Sequence, residues 1–542
     1  MSIEGGTQLK QKKWALMVLA TALALQSHVA AVDFSDFPSD WSAAPLTRAV
    51  EDGLLTGTGG KINGNGKLTR AEMATIVNRA FGASAMASLD AYTDVPDQAW
   101  YYTEMAKAVQ MGTFQGSGNQ LFPDAEITRE QAFTVLARAF LMPAGNPAHL
   151  NAFSDGDQVS PWAQSGVAAL IEGGYVHGAD GKLNPQSGIT RAEFAQVMCN
   201  LVGTYVSMPE TVTQAEAGNL MVRTAGATLR DLTVDGDLVL GDGLGAGEIT
   251  LEQVNVQGRL LVRGGGEESI HLTGVAVGDG MVLTNANTPT RIVTKDSSLG
   301  PVEVHSALIV EGDMDEVHVA GTASITVRSG KVRALHIAEA ASDVQITVEK
   351  GAQVDHLTVN GPSARVDGKG TVKTVQANAD NLAVATPNTK VVVSKDVVGV
   401  TVGGKQISAG QTVQTTASGS VSGGNSGNAG SGSSSHPGDT GTTETTQYCT
   451  ARMIDLSYAQ YVVLTFAEGS TVTDYTVAID GTAVDEAALR KVDHSGRIVK
   501  WEPENGWKLN ESHTITVTRR TDGKQQTLVV HPLGQAKGGQ DA

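Results

Sequence analysis

The sequence predicts a multidomain chain in three parts: an all-α module of three repeats, an all-β region that reads as a parallel β-solenoid (β-helix), and a small β-sandwich. Three observations lead there. A five-residue phrase occurs at Leu68–Glu72, Ile127–Gln131 and Ile189–Glu193 (LTRAE, ITREQ, ITRAE) and then stops. From Gln214 onward, short alternating runs of Val, Leu, Ile and Thr begin roughly every 15 to 27 residues, with Gly, Asn or Asp at the corners. A tract of Gly, Ser and Thr over 415–447 then precedes a last stretch of strand patterns. A chain of 542 residues has room for several domains.

Residues 1–31 read as a signal peptide. Lys10, Lys12 and Lys13 precede the apolar run Ala15–Leu25, and small residues follow up to Ala30 and Ala31. The run is short for a bilayer, so the expected mature chain is exported and has no membrane span. The formal net charge of -18 leaves no basic excess to displace counterions from phosphates, so no nucleic-acid partner is expected. Two cysteines, Cys199 and Cys449, exclude a disulfide framework. They are two free or buried thiols, or one long-range bridge.

The repeats span 32–83, 90–142 and 150–205. Each opens on an aromatic, one residue and an Asp: Phe34 and Asp36, Tyr92 and Asp94, Phe153 and Asp155. Each then places a Trp (Trp41, Trp100, Trp162), a helical pattern of small residues, a Gly-rich turn, the phrase, and a second helix. Thr69, Thr128 and Thr190 stand three residues before Glu72, Gln131 and Glu193, the spacing of a capping box. Met73, Ile76, Val77 and Ala80 give the following helix one apolar face, as do their counterparts in the other copies. Arg70, Arg129 and Arg191 are not explained by helix initiation, because the positive end of the helix dipole disfavours a cation there. A shared ion pair and a shared anionic ligand both account for them.

The β region covers 214–408. Runs such as LTVDGDLVL from Leu232, VEVHSALIV from Val302 and LTVNGPSARV from Leu357 suit stacked coils; a pair of β-sandwiches is the other architecture that fits. The tract 415–447 is a flexible linker. In 448–534, Asp480-Gly481 and Asp522-Gly523 are hairpin signals between strand patterns, as a small β-sandwich module requires.

The aromatic-x-Asp opening, the Trp, the Gly-rich turn and the Thr-Arg phrase, in three tandem copies, resemble surface-layer homology (SLH) repeats. The resemblance covers about a third of the chain. It implies a three-pronged helical module with pseudo-threefold symmetry that binds secondary cell-wall polysaccharide, often pyruvylated, in grooves between the prongs. It also implies that the Arg of the phrase faces the ligand, here Arg70, Arg129 and Arg191. A pyruvyl carboxylate suits a guanidinium at a helix N-terminus. Asp36, Asp94 and Asp155 either accept from sugar hydroxyls or cap the Trp-bearing helix. Trp41, Trp100 and Trp162 either pack within each prong or line the grooves. The implied location is the cell wall or cell surface, associated with the S-layer. The copies differ: only the second has the aromatic-Pro pair Phe122-Pro123, the third keeps Pro185, and the second has Glu130-Gln131 where the others have Ala-Glu. Unequal grooves are therefore expected. Asn63 and Asn65 stand where a calcium loop wants carboxylates, so no metal is assigned to that turn.

Parallel β-helices also host polysaccharide lyases and hydrolases, which need converging carboxylates. The candidates are Asp235, Asp237, Asp242, Asp279, Asp313 and Asp315, most of them at Gly-flanked corners where Asp forms turns. His305, His318, His336 and His356 fall in or beside strand patterns, either scattered on the surface or stacked as a ladder for a metal. No nucleophile elbow, phosphate loop or metal-spaced motif stands out, so no catalytic residue, metal or cofactor is assigned. The expected function is non-covalent, non-catalytic anchoring to the wall, displaying a β-rich stalk and a distal module whose partner the sequence does not name. The alternative is a wall-tethered polysaccharide-active enzyme that uses the solenoid.

Overall fold

The computed structural model describes residues 34–285, 289–421, 449–456, 459–467, 470–491, 498–501 and 513–530. The signal peptide and most of the linker lie outside these residues.

Each N-terminal repeat folds as two helices. These are α1 (Ala43–Glu51) and α2 (Arg70–Phe81), α3 (Tyr102–Gln110) and α4 (Arg129–Ala139), then α5 (Gln164–Glu172) and α6 (Arg191–Leu201). The capping box is complete at the start of α2, α4 and α6: each Thr hydroxyl accepts from the N3 amide, and Glu72, Gln131 or Glu193 returns to the cap. The second helix of each repeat packs on the first helix of the next. Thus α2 meets α3, α4 meets α5, and α6 closes the ring on α1. The aliphatic residues before the capping threonines meet at the centre of this ring. Ile127 N–H donates to the Leu68 carbonyl, Ile189 to Ile127, and Leu68 to Ile189, at 2.9 to 3.0 Å. All three side chains are fully buried.

The solenoid is present. Strands alternate between two parallel sheets, one running in order from Thr204–Val206 to Thr412–Gln414 and the other from Thr211–Val212 to Lys405–Gln406. The first coil therefore starts at Thr204, and the last strand pairs antiparallel with Lys390–Val393. The hydrophobic seeds stack in register. Leu220, Leu238, Leu260, Met281, Val302, Val317, Leu335, Leu357, Val375 and Val391 occupy one inward ladder. A stack of coils is needed because a single coil cannot bury its own apolar face.

The neighbouring outward ladder explains how the two parts join. It reads Met221, Val239, Leu261, Val282, then Glu303, His318, His336, Thr358 and Gln376. The first four are buried in the core of the helical module, against a cluster that includes Phe81 and Phe140. Polar residues take over in the coils beyond. The junction also satisfies the carbonyls that helix C-termini leave unpaired. Arg259 donates to the Leu141 carbonyl at 2.6 Å, Arg223 to Arg79 at 3.2 Å, and Tyr205 Oη to Ala80 at 2.9 Å. Arg263 is buried, ion-paired to Asp242 at 2.8 Å, and lies over the Phe81 ring. Gly82 ends α2 at φ 71, and a Cβ there would meet Gly243 Cα at 2.5 Å, so the close approach requires glycine.

The C-terminal residues form two four-stranded antiparallel sheets among the described residues. Asp480-Gly481 turns between Tyr475–Ile479 and Thr482–Ala483 with both residues at positive φ. Neither Cys199 nor Cys449 is in a disulfide among the described residues. Among the described residues, no helix is long and apolar enough to cross a membrane.

Candidate functional site at the seams between repeats

The phrase arginines reach from one repeat to the next. Arg70 Nε donates to the Leu121 carbonyl at 2.8 Å, Arg129 Nε to Leu183 at 2.7 Å, and Arg191 Nε to Ile62 at 3.0 Å. Arg70 and Arg191 each place a second nitrogen on a further carbonyl, Gln115 and Thr56. The backbone follows the same route. Arg70 and Ala71 N–H donate to Ala125 and Pro123; Arg129 and Glu130 to Ser187 and Pro185; Arg191 and Ala192 to Gly66 and Gly64. The first amides of each helix are therefore already paired with the next repeat's turn. A cation at N1 is tolerated because loop carbonyls, not the helix dipole alone, face it.

The aspartates hold the turns that these arginines reach. Asp36 accepts from Ile62 and Asn63 N–H at 2.8 and 2.9 Å. Asp94 accepts from Leu121 and Phe122, and Asp155 from Leu183 and Asn184. They do not cap the helices that follow the tryptophans, whose N-cap side chains accept no helix amide. Burial raises the Asp155 pKa, but the two donated amides outweigh it and hold the carboxyl below the usual range. The residue after each bonded amide pair's first member (Asn63, Phe122, Asn184) lies at φ 51 to 52. The carboxylate clamps a turn that only glycine and asparagine enter readily.

Trp41, Trp100 and Trp162 are 59, 64 and 47 % exposed, so none of them lies in the core. The structure brings each Asp and the preceding repeat's Arg to one turn residue. Among the described residues, no hydrogen bond, ion pair or ring contact joins the tryptophans to those arginines. Sequence reasoning missed Glu193, which pairs with Arg129 at 2.7 Å across a seam; its capping role concealed it.

The solenoid carboxylates are mostly engaged. Asp237 pairs with Arg259 and Asp242 with Arg263, while Asp315 pairs with Arg333 at 3.1 Å and Asp313 caps Lys331 N–H. Asp235 meets Gln257 at 3.4 Å. Burial pushes the Asp279 carboxyl up, with Asp237 adding to it. An open polar cleft of about 620 Å³ runs along the Gly274–Ala276 and Thr294–Ser298 corners to Asp313. His318 and His336 do stack, with ring centroids 5.0 Å apart and Glu316 Oε1 3.0 Å from His318 Nε2. Among the described residues, no group of three or more His, Cys, Asp or Glu is arranged to hold a metal.

Residues 33–74, 91–133 and 152–195 each match the S-layer homology domain family, so the chain carries three tandem SLH domains. Its relatives include the surface-layer 125 kDa protein of Lysinibacillus sphaericus, 29% identical over 229 residues, which are 41% of this chain and 19% of that protein. The S-layer protein of Bacillus thuringiensis subsp. finitimus is 30% identical over 210 residues, 36% of this chain and 25% of that protein. Exoglucanase XynX of Acetivibrio thermocellus is 25% identical over 176 residues, 32% of this chain and 16% of that protein. The chain thus spans a quarter or less of these relatives. A structure of the chitinase ChiW from Paenibacillus sp. str. FPU-7 aligns over 60% of this chain and 23% of its own at 14% identity, with a TM-score of 0.15 that carries no argument.

Proposed function

We propose that this chain is a non-catalytic cell-surface protein, held to the wall by its SLH domains, which bind a secondary cell-wall polysaccharide, and displaying the solenoid and distal module outward. The three SLH domains and the S-layer relatives make it an exported surface protein. The observation that carries the finer reading is the cyclic repetition of one constellation. Three times, a helix-initiating Arg meets an Asp-clamped turn of the next repeat, and three times a Trp stands exposed. Exposed aromatic faces suit the apolar faces of sugar rings, and the guanidinium hydrogens not engaged by carbonyls suit an acidic substituent such as a pyruvyl carboxylate. Three modest sites on one rigid ring gain avidity on a repeating polymer.

The three-pronged, all-α description of the repeats belongs to this proposal, supported by the ring of helix contacts. So does the β-sandwich description of the distal module. In its support, Val462 and Leu464 of one sheet share a core with Val477 and Val517 of the other.

The test uses the full chain without its signal, because Met221, Val239, Leu261 and Val282 complete the helical core and a fragment ending at residue 208 would lack them. It should co-sediment with purified wall and remain soluble once the secondary polymer is stripped. A triple Trp→Ala variant at 41, 100 and 162, folded by circular dichroism, should lose most binding. Undiminished sedimentation of that variant would refute the aromatic assignment, and equal sedimentation with stripped wall would refute the polymer as ligand.

An enzyme that uses the solenoid cleft is the second reading, favoured only by Asp313 and Asp315 lying close along one edge. Asp315 pairs with Arg333 at the exposed surface and Asp313 accepts the Lys331 N–H, contacts that serve the corner and do not favour an acid–base pair of the form that glycoside hydrolysis requires.

A further inference from the structure

The three seams repeat in backbone but not in charge. We infer that the seam of Arg70 is the strong anion site of the module and the seam of Arg129 the weak one, the difference being set by the residues at the third and tenth positions of the facing helix. This rests on the polysaccharide-binding reading above and ranks its sites.

At the seam between repeats 2 and 3, Arg129 is already matched. Its Nη1 lies 2.7 Å from Glu193 Oε1, and the Arg side chain is only 12 % exposed. The tenth position of α6 is Asn200, which is neutral and bonded to the Tyr175 carbonyl. An incoming carboxylate there must displace Glu193 and gains no second cation.

At the seam between repeats 1 and 2, the place of Glu193 is taken by Gln131, and that of Asn200 by Arg138. Neither Arg70 nor Arg138 has a carboxylate within ion-pair distance among the described residues. Burial lowers the Arg70 pKa, Arg138 lowers it further, and Asp94 opposes them. Two half-buried guanidiniums at one seam, neither within ion-pair distance of a carboxylate among the described residues, favour an external anion.

The seam between repeats 3 and 1 is intermediate. Arg191 and Arg79 both reach Thr56, at 2.8 and 3.5 Å, but Glu72 lies near Arg191. The exposed Lys61 and Lys182 stand beside Asp36 and Asp155, where they offset those carboxylates and are screened by solvent.

A second observation picks out the same seam. Phe122, the residue between the two that contact the start of α2, is held at φ 52 by Asp94 although it is bulky and 42 % exposed. Its counterparts are Asn63 and Asn184, which enter that region easily. An aromatic kept there at a backbone cost marks a functional turn.

The chain itself shows that the decisive substitutions are compatible with folding, since Gln131 completes a capping box as well as Glu193 does. A monosaccharide carrying a pyruvyl ketal, titrated calorimetrically into the full chain without its signal, should report sites of unequal affinity. Gln131→Glu should weaken the tightest site by about tenfold, and Glu193→Gln should strengthen the weakest by a similar factor. Arg138→Gln leaves every cap intact and should weaken only the tight site. If the wild-type protein does not bind the probe, the polysaccharide reading itself fails for this ligand class and takes the ranking with it. If it binds and all three variants match the wild type, the binding reading stands and the ranking is wrong.

Discussion

Asp155 and Arg129 meet at Leu183 from opposite sides: the carboxylate accepts the Leu183 N–H at 2.8 Å, and the Leu183 carbonyl accepts Arg129 Nε at 2.7 Å. One turn residue thus couples two repeats. Asp155→Asn keeps the shape but turns one acceptor into a donor that opposes a backbone amide. The apparent Tm should fall by about 2–4 °C at neutral pH. The folded pKa of Asp155 is depressed. Its stabilisation is therefore present above the unfolded value, about 3.9, and lost as pH falls through the folded value. The gap between wild type and variant should stay constant from pH 7 to about 5 and close below about pH 4. A gap that persists at lower pH would show that charge is not what the turn requires.

Arg263 and Asp242 form an ion pair sealed between the helices and the coils, with side chains 3 and 12 % exposed. Arg263→Ala leaves a buried carboxylate unpaired and should destabilise the chain by about 3–5 kcal/mol in urea unfolding. Replacing both residues by apolar ones of similar volume should recover most of that loss.

Leu261 and Thr358 share one outward register position, four coils being spanned by Val282, Glu303, His318 and His336 between them. Leu261→Asn should cost about 3 kcal/mol or more, because it places an unpaired amide in the module's core. Thr358→Asn, at the same position beyond the cover, should change stability by no more than about 0.5 kcal/mol. Equal effects would mean that the helices do not cover the first coils.

Trp100→Ala should leave the melting curve within about 0.5 kcal/mol of wild type while reducing sedimentation with wall. The side chain is 64 % exposed, although its ring edge meets Tyr101 at 5.5 Å. A loss of stability without a loss of binding would return it to a structural role.

What the sequence made legible was what is local or periodic. The three capping boxes are contacts three residues apart, and the solenoid is a pattern repeated many times, so both can be read along the chain. Asp155 to Leu183 spans 28 residues, and Arg191 to Thr56 spans 135; no spacing rule reaches those. The exposure of the tryptophans was illegible for a related reason, since a conspicuous aromatic reads equally as core or as contact surface. The outward ladder could have been noticed. Met221, Val239, Leu261 and Val282 make both faces of the first coils apolar, which is the signature of a sheet covered on both sides. The Arg129–Glu193 pair was hidden because Glu193 already had a sufficient local explanation.

The arginines at the helix ends also determine how force would travel. A pull on the far end of the coils passes through parallel strands into Arg223, Arg259 and Arg263, and from there into the C-termini of the helices they bond. Strand Thr204–Val206 pairs in register with Leu220–Val222 right after α6, so the crossing has no slack. The coils are clamped like a mast in its step: side-chain packing and hydrogen bonds, not a free hinge, set their angle to the helical module.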